Sequence, residues 1–520
     1  MTHDSDNSFE SRGSVFRWMS LFSLGQISEK IFMLAKLVLV AYLFGASRDR
    51  DVYLLAMTIP AVFFNLVGDA VYMYCLSVFT SHKQDLTHAW DMANILLTLA
   101  LVLTGIFTAG YILAAPVLFH ALAGEQLDPR MLGLGVRLAL VLSPLYFFYM
   151  VHAMFRGFSE AFRMFGVSSF VFSISNGAAF AALWILRGHG IMGLAWATLI
   201  SEALTMLVFV PQLAGKGFRY RPDFRFAHPD LRGTYAHAAQ LTAGTGAFKF
   251  ATLINRVFAL YLPPGMISVF DYALNLTQNF STLLRSFVNA VFPSLTQASH
   301  ERDPASMRRF LDMALRAMAI AGIPMCALVW SLRAPLVRLF ERGAFSPQVS
   351  LDVAATVAFL APCILLFPFM YLLIRLYAVL QRMKTLTMLG VACMALIGVF
   401  NALFLHRGVT GLALGNTLAL SVTMVLGWLL LPRDLRGLDA RVTGPAVVKS
   451  LAAAAACVAG AHAAGLLLGP GHMQAGLGRL ILILGLKGAA GTLCALAVFF
   501  LLRTREVIDA IGFLRRAAGK

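Results

Sequence analysis

A chain of 520 residues with 59% apolar and only 13% charged side chains has too little polar surface for a soluble protein of that length. Its formal net charge of +17 comes without a basic run interleaved with aromatics, so nucleic acid is excluded as a partner and the excess Lys and Arg is assigned to membrane-flanking loops. The fold class expected is all-α: a polytopic membrane protein with about fourteen transmembrane helices.

The chain opens with a polar, acidic tail, residues 1–14, that has no basic n-region or cleavage site, so the first apolar helix is expected to stay as a span. Apolar runs then fall at 15–44, 52–79, 91–118, 132–155, 165–186 and 191–213, the six spans of an N-lobe over 15–213. A basic linker, 214–235, leads to runs at 236–262, 266–292, 309–339, 350–380, 386–405 and 409–431, a C-lobe over 236–431. After a loop at 432–445 come two further runs, 446–468 and 478–502, and a basic tail, 503–520. Lys and Arg are about threefold more frequent on one side of this layout, which places both termini in the cytoplasm.

The two lobes repeat. The stretch from Gly166, GVSSFVFSISNGAAFAALWILRGHGIMGLAWATL, matches that from Gly390, GVACMALIGVFNALFLHRGVTGLALGNTL, in GV, N, RG and GLA at an offset of about 220 residues. A fainter echo links the residues from Ala41 to those from Leu260. Six spans separate the equivalents, so the repeats are parallel, and two six-helix lobes facing each other across a central cavity are expected.

No GxSxG, HExxH or complete GxxxxGK[ST] is present, and the six cysteines lie singly in apolar stretches, so neither an enzyme nor a metal or cofactor site is expected. Charge at membrane depth carries the information instead, because it costs at least a few kcal/mol per residue and normally faces a cavity. Span 7 carries Thr242, Thr245, Lys249, Thr252 and Arg256 at helical spacing, and span 8 carries Asp271, Asn275, Gln278, Thr282, Arg285 and Asn289. Each helix therefore has one continuous polar stripe, expected to line a water-filled path. Span 1 mirrors them with Gln26, Glu29, Lys30 and Lys36, and span 2 with Thr58, Asn65, Asp69 and Tyr72. Lys36 is expected to pair with Glu29, and Pro60 to bend span 2 where neighbours satisfy the carbonyl it frees. The cations Lys30, Lys36, Lys249, Arg256 and Arg285 outnumber the acids Glu29, Asp69 and Asp271, so the ligand should be an anion of phosphate type.

These residues carry a family resemblance. LFERGAF at 339–345 looks like the signature loop of the MurJ/MviN lipid II flippases of the MOP exporter superfamily. FGAS at 44–47 with Asp51, IP at 59–60, INR at 254–256, FPSL at 292–295, KT at 384–385 and GLALGNTLA at 411–419 agree in order, over roughly residues 20–430. The resemblance implies a fourteen-span, two-lobe transporter of an undecaprenyl-pyrophosphate glycolipid in the bacterial inner membrane, working by alternating access. It also implies a lipid-tail groove along the last two helices (446–502), a driving membrane potential and, in some members, a coupling Na+ or H+. Cell-envelope glycan synthesis enzymes would be its partners, and Asp51, Glu341 and Arg342 would belong to gate and signature segments. The chain departs from the pattern where span 1 has Lys30 and Lys36 in place of Arg, and where span 8 has Leu274, Asn275 and Gln278 in place of charges. Lipid II and an exopolysaccharide or other surface-glycan repeat unit both remain open as cargo. A drug or cation exporter, which needs an acidic cavity, and a non-transporting scaffold fit less well.

Overall fold

The computed structural model describes residues 12–68, 71, 72, 75, 86–161, 165–226, 246–436, 440–467 and 476–504. The described secondary structure is helical, and the chain divides into two compact units, Met1–Leu253 and Ile254–Lys520. The division falls inside the run expected as the C-lobe's first span.

In the first unit, α1 is Arg12–Phe44, α2 Arg48–Phe63 with a π-turn at Phe64–Gly68, α3 Leu86–Ala123, α4 Pro129–Leu142, α5 Leu145–Ala161, α6 Phe165–Leu186 and α7 Gly190–Ala214. The second unit holds most of α8 (Ala251–Ala259), then α9 (Met266–His300), α10 (Pro304–Arg338), α11 (Pro347–Leu360), α12 (Cys363–Val379), α13 (Met383–Phe404), α14 (Val409–Leu429), α15 (Ala440–Leu467) and α16 (Leu477–Leu501). Helices follow the expected runs in order. Among the described residues, nine helical stretches are long and apolar enough to cross a membrane, or ten if α11 and α12 form one bent span. Long helices α1 and α9 are not among the nine, because their polar stripes dilute the apolar content.

The repeat is visible in local chemistry. Asp128 caps α4, its carboxylate accepting from the Met131 amide, and Ser346 caps α11 through the Val349 amide; each is followed by proline at the first helical position. Both helices then break at a second proline, Pro144 and Pro362, and continue as α5 and α12, the second pair bent by 46°. The turn between α6 and α7 is a 3-10 turn at Arg187–His189 followed by Gly190 (φ 58°), and that between α13 and α14 is Leu405–Arg407 followed by Gly408 (φ 68°). Gly193 and Gly411 then pack against the carbonyls of Leu186 and Phe404, where an added Cβ would lie 2.3 and 2.0 Å from oxygen. These pairs share one register, which sets Gly408 against Gly190. The RG match in the sequence sets it against Gly188 instead, two residues off, because RG is followed by a second glycine in RGHG and only the later one has the left-handed backbone.

Pro60 lies within α2 and leaves the Ala56 carbonyl without its helical donor. Tyr111 of α3 donates its hydroxyl to that oxygen at 3.4 Å, so a neighbour does satisfy it. We expect Tyr111→Phe to lower the thermal midpoint of the purified protein, by the equivalent of about 1 kcal/mol, because the carbonyl is then buried without a donor. An unchanged midpoint would show that the long bond contributes nothing.

The first unit's core gathers Trp90, Met154, Phe158 and Phe209, with Phe218 and Phe226 packed on it from the segment after α7. That segment is also fixed by polar bonds: Trp90 Nε1 donates to the Lys216 carbonyl at 3.2 Å, and Asn94 accepts from the Arg221 amide at 3.1 Å. The beginning of the basic linker is thus laid along α3. In the second unit α15 and α16 pack on α10 through Ile320, Ala453, Cys457, Ala495 and Phe499, so the last two helices are integral to that unit's core.

Candidate functional site

The seam between α1 and α6 is polar and close. An added Cβ on Gly25 would lie 2.1 Å from the Ser169 carbonyl, and this approach lets the Ser28 and Ser173 hydroxyls meet at 2.6 Å while Ser173 donates to the Gly25 carbonyl at 3.0 Å. Ten or so residues further along α1, Lys36 Nζ donates to Asn176 Oδ1 at 2.7 Å. Glu29 pairs with its neighbour Lys30 at 3.5 Å, both side chains part-exposed. The expected Lys36–Glu29 pair is therefore not formed: seven residues of helix separate them by about 10 Å, whereas Asn176 stands directly across the seam. We expect Gly25→Leu to push the two helices apart and to prevent a stable fold, read as loss of the monodisperse peak in size-exclusion chromatography; a normal peak with an unchanged melting midpoint would contradict the close packing.

Glu202, at the middle of α7, stands near enough to Lys36 for the two charges to act on each other, and Tyr149 of α5 is near Glu202. The sequence reading missed Glu202. The signal was there, a single acid in the run WATLISEALTMLVF, but no helical stripe surrounds it. Asp69 and the side chains of Gln26 and Asn65 lie outside the described residues, as do Thr242 and Thr245.

In the second unit, Arg256 of α8 pairs with Asp271 of α9 at 3.3 Å, with side chains 13% and 15% exposed. Asn275 donates to the Asp271 carbonyl at 2.8 Å, Thr282 donates to the Gln278 carbonyl at 2.9 Å, and Gln278 and Asn289 are exposed. The α9 stripe therefore stays open within its unit, while Leu276, Leu284 and Val288 on the other face are buried. Arg285 lies with its guanidinium 5.6 Å from the Tyr371 ring centre, and its buried Nε–H has no partner among the described residues. Arg375 of α12, also missed from the sequence, donates to the Tyr371 hydroxyl and stacks on Phe292 at 4.4 Å; Tyr371 in turn donates to Asn289 at 3.2 Å. Two arginines and an aromatic thus meet where one cation was expected. Lys249 and Thr252, of the same run as Arg256, belong to the first unit and are half-buried.

The repeat places a second polar knot where α8, α13 and α14 meet, the counterparts of α1, α6 and α7. Asn401 donates to Asn255 at 2.8 Å and Asn255 to Asn416 at 3.1 Å, with all three buried. This knot is uncharged. An apolar cavity of about 480 Å³ opens among α10, α12, α14 and α15, lined by Met318, Phe369, Met424, Trp428 and Val447. Of the last two helices only α15 borders it.

The short motifs have structural reasons. In FGAS, Gly45 turns the chain out of α1 with φ 54°, the Ser47 hydroxyl accepts from the Arg50 amide, and Asp51 is buried in the first turn of α2, where a carboxylate suits the helix dipole. In LFERGAF, Phe340 and Phe345 are buried against Tyr272 and Gly343 turns with φ 57°, while Glu341 approaches Arg338 at 3.9 Å and Arg342 is exposed. The aromatic pair and glycine shape the loop, and Glu341 and Arg342 are presented outward by it.

Helices long and apolar enough to cross a membrane, a repeated set of caps and turns, and charged residues within apolar stretches define a polytopic membrane protein built from two repeats. The profile of the family described as lipid II flippase MurJ matches residues 40–481, and the chain belongs to that family of transporters. Among curated relatives, a probable lipid II flippase MurJ of Bdellovibrio bacteriovorus is 25% identical over 439 residues, 82% of this chain and 84% of the relative. The lipid II flippase MurJ of Burkholderia cenocepacia is 24% identical over 361 residues, 66% of this chain and 69% of that one. Among solved structures, lipid II flippase MurJ in an inward closed conformation superposes with a TM-score of 0.76 at 17% identity, covering 94% of this chain and 99% of that one. A multidrug resistance MATE family transporter of the MOP superfamily, inward-facing, gives 0.64 at 16% identity over 77% and 93%. At such identities these superpositions speak for the fold alone.

Proposed function

We propose that this protein translocates a polyprenyl-pyrophosphate-linked glycan across the bacterial inner membrane, with lipid II as the cargo the family favours. The observation that carries the reading is the family match over residues 40–481, and the placement of cations supports it. Lys36, Arg256, Arg285 and Arg375 sit within largely apolar stretches of the sequence, where a cation is costly and a phosphate oxygen is a fitting partner. Arg285 has a donor to spare, and the neutral donors and acceptors of Gln278 and Asn275 lie about two and about three turns before it on the same stripe, as a phosphate with sugars attached would need. The cavity beside α15 is apolar enough for hydrocarbon, which suits part of a prenyl tail. The excess of Lys and Arg in one set of loops supports cytoplasmic termini, and a coupling Na+ or H+, if used, has no residues assigned to it. Glycan-synthesis enzymes on either side of the membrane would supply and consume the lipid.

The neutral Asn275 and Gln278 also support a second cargo of the same chemical class, a surface-glycan repeat unit. The test is replacement of a host's own lipid II flippase by this protein, with membrane abundance measured alongside. Growth, and labelled lipid II becoming reachable from the outer face, is the result expected. Death of the host at normal abundance would exclude lipid II.

A further inference from the structure

Lys36 lies eight residues before the end of α1 and Glu202 twelve residues into α7, so at 1.5 Å per residue each is more than about 10 Å of helix from the nearest end. Two ionisable groups at that depth point to function more than to packing. The other repeat shows what packing alone requires: Asn255, Asn401 and Asn416 join the counterpart helices without any charge.

The geometry of the charged knot is unusual in one respect. The ammonium of Lys36 donates to a neutral amide, Asn176, whose own Nδ2 is fixed on the Phe172 carbonyl at 2.9 Å so that its oxygen faces the lysine. Glu202 is near enough to interact with Lys36, yet the two form no direct ion pair among the described residues. Tyr149 of α5 stands near the same carboxylate, while Tyr53 of α2 has its hydroxyl bonded to Thr198 at 2.8 Å. Lys36 thus has a neutral partner in contact and an anionic one in reserve.

We propose that Glu202 is the resident counter-ion of Lys36 and competes with the transported anion for it. With no cargo, the carboxylate balances the ammonium. When the pyrophosphate binds, Lys36 turns to it and Glu202 becomes a like charge nearby, which weakens the complex and speeds release. Glu202 is in this sense a positioning residue that sets affinity and turnover in opposite directions. The inference rests on the reading above, in which Lys36 meets the pyrophosphate.

The test uses the purified full-length protein and geranylgeranyl pyrophosphate as probe, with geranylgeraniol as the uncharged control. Glu202→Gln is expected to tighten pyrophosphate binding roughly five- to tenfold, without changing alcohol binding, and to slow translocation in cells. Glu202→Asp, which keeps the charge, should bring affinity back toward that of the native protein and serves as the second variant if Gln fails to fold. In a Lys36→Gln background, Glu202→Gln should have a clearly smaller effect, because only the direct repulsion between carboxylate and pyrophosphate remains and the competition for the lysine is gone. An unchanged affinity for Glu202→Gln, or an equal change with and without Lys36, would overturn the proposal while leaving the flippase reading intact. A native protein that binds the pyrophosphate no better than the alcohol would overturn both.

Discussion

Arg256→Gln should abolish translocation, whereas Asp271→Asn should retain much of it. The two side chains form a part-buried pair at 3.3 Å, so a purely structural role predicts that loss of either partner does similar damage. A ligand-holding role predicts asymmetry. Removing the arginine takes away a cation that can bind a phosphate through a charge-assisted bond of roughly 1.5–3 kcal/mol, a tenfold to more than hundredfold loss of affinity. Removing the carboxylate leaves that cation in place and less neutralised. Complementation at matched membrane abundance reads the difference, and equal loss in both variants would reduce the pair to a helix clamp. Arg285→Gln should behave as Arg256→Gln does, since Arg285 has no acid to stabilise and its Nε–H has no partner among the described residues.

The second large effect concerns choice of cargo. Asn275 and Gln278 stand on the open face of α9 where the family resemblance implies charged residues, and neither is held by another side chain in a way that forbids replacement. Asn275→Arg with Gln278→Glu should improve rescue of a host lacking its lipid II flippase if the neutral stripe favours a neutral sugar. Two charge-assisted contacts can change affinity by a factor of a hundred or more. Robust rescue by the native sequence, with no gain from the double variant, would show that the neutral residues serve lipid II equally well.

Hydropathy and helical spacing made the order of helices and the polar stripe of α9 legible, because a lipid-facing helix tolerates little else and the stripe's register follows from 3.6 residues per turn. The glycines that pack against carbonyls at Gly193 and Gly411 preserved the repeat in readable form, since no larger residue fits. What depended on neighbours from other helices was not legible. Lys36 was assigned an acid on its own helix, while its partner Asn176 lies 140 residues away in α6. Glu202 and Arg375 were passed over because each is a single charge in an apolar run, and only packing brings Glu202 near Lys36 and Arg375 over the Phe292 ring. The Gly188–Gly408 match was a slip of register that only backbone conformation could reveal.

The central claim, that the stripes on α8 and α9 meet water in the membrane and not lipid, is tested most directly by single cysteines at Thr252, Gln278, Thr282 and Leu283 in a background lacking the native cysteines. Leu283 is 59% exposed within its unit but lies off the stripe, so exposure alone does not separate it from the others. The account predicts rapid labelling of the first three by a membrane-impermeant maleimide in open membranes, and protection of the fourth by lipid. Equal protection at all four positions, with each variant present in the membrane and labelled after denaturation, would contradict it.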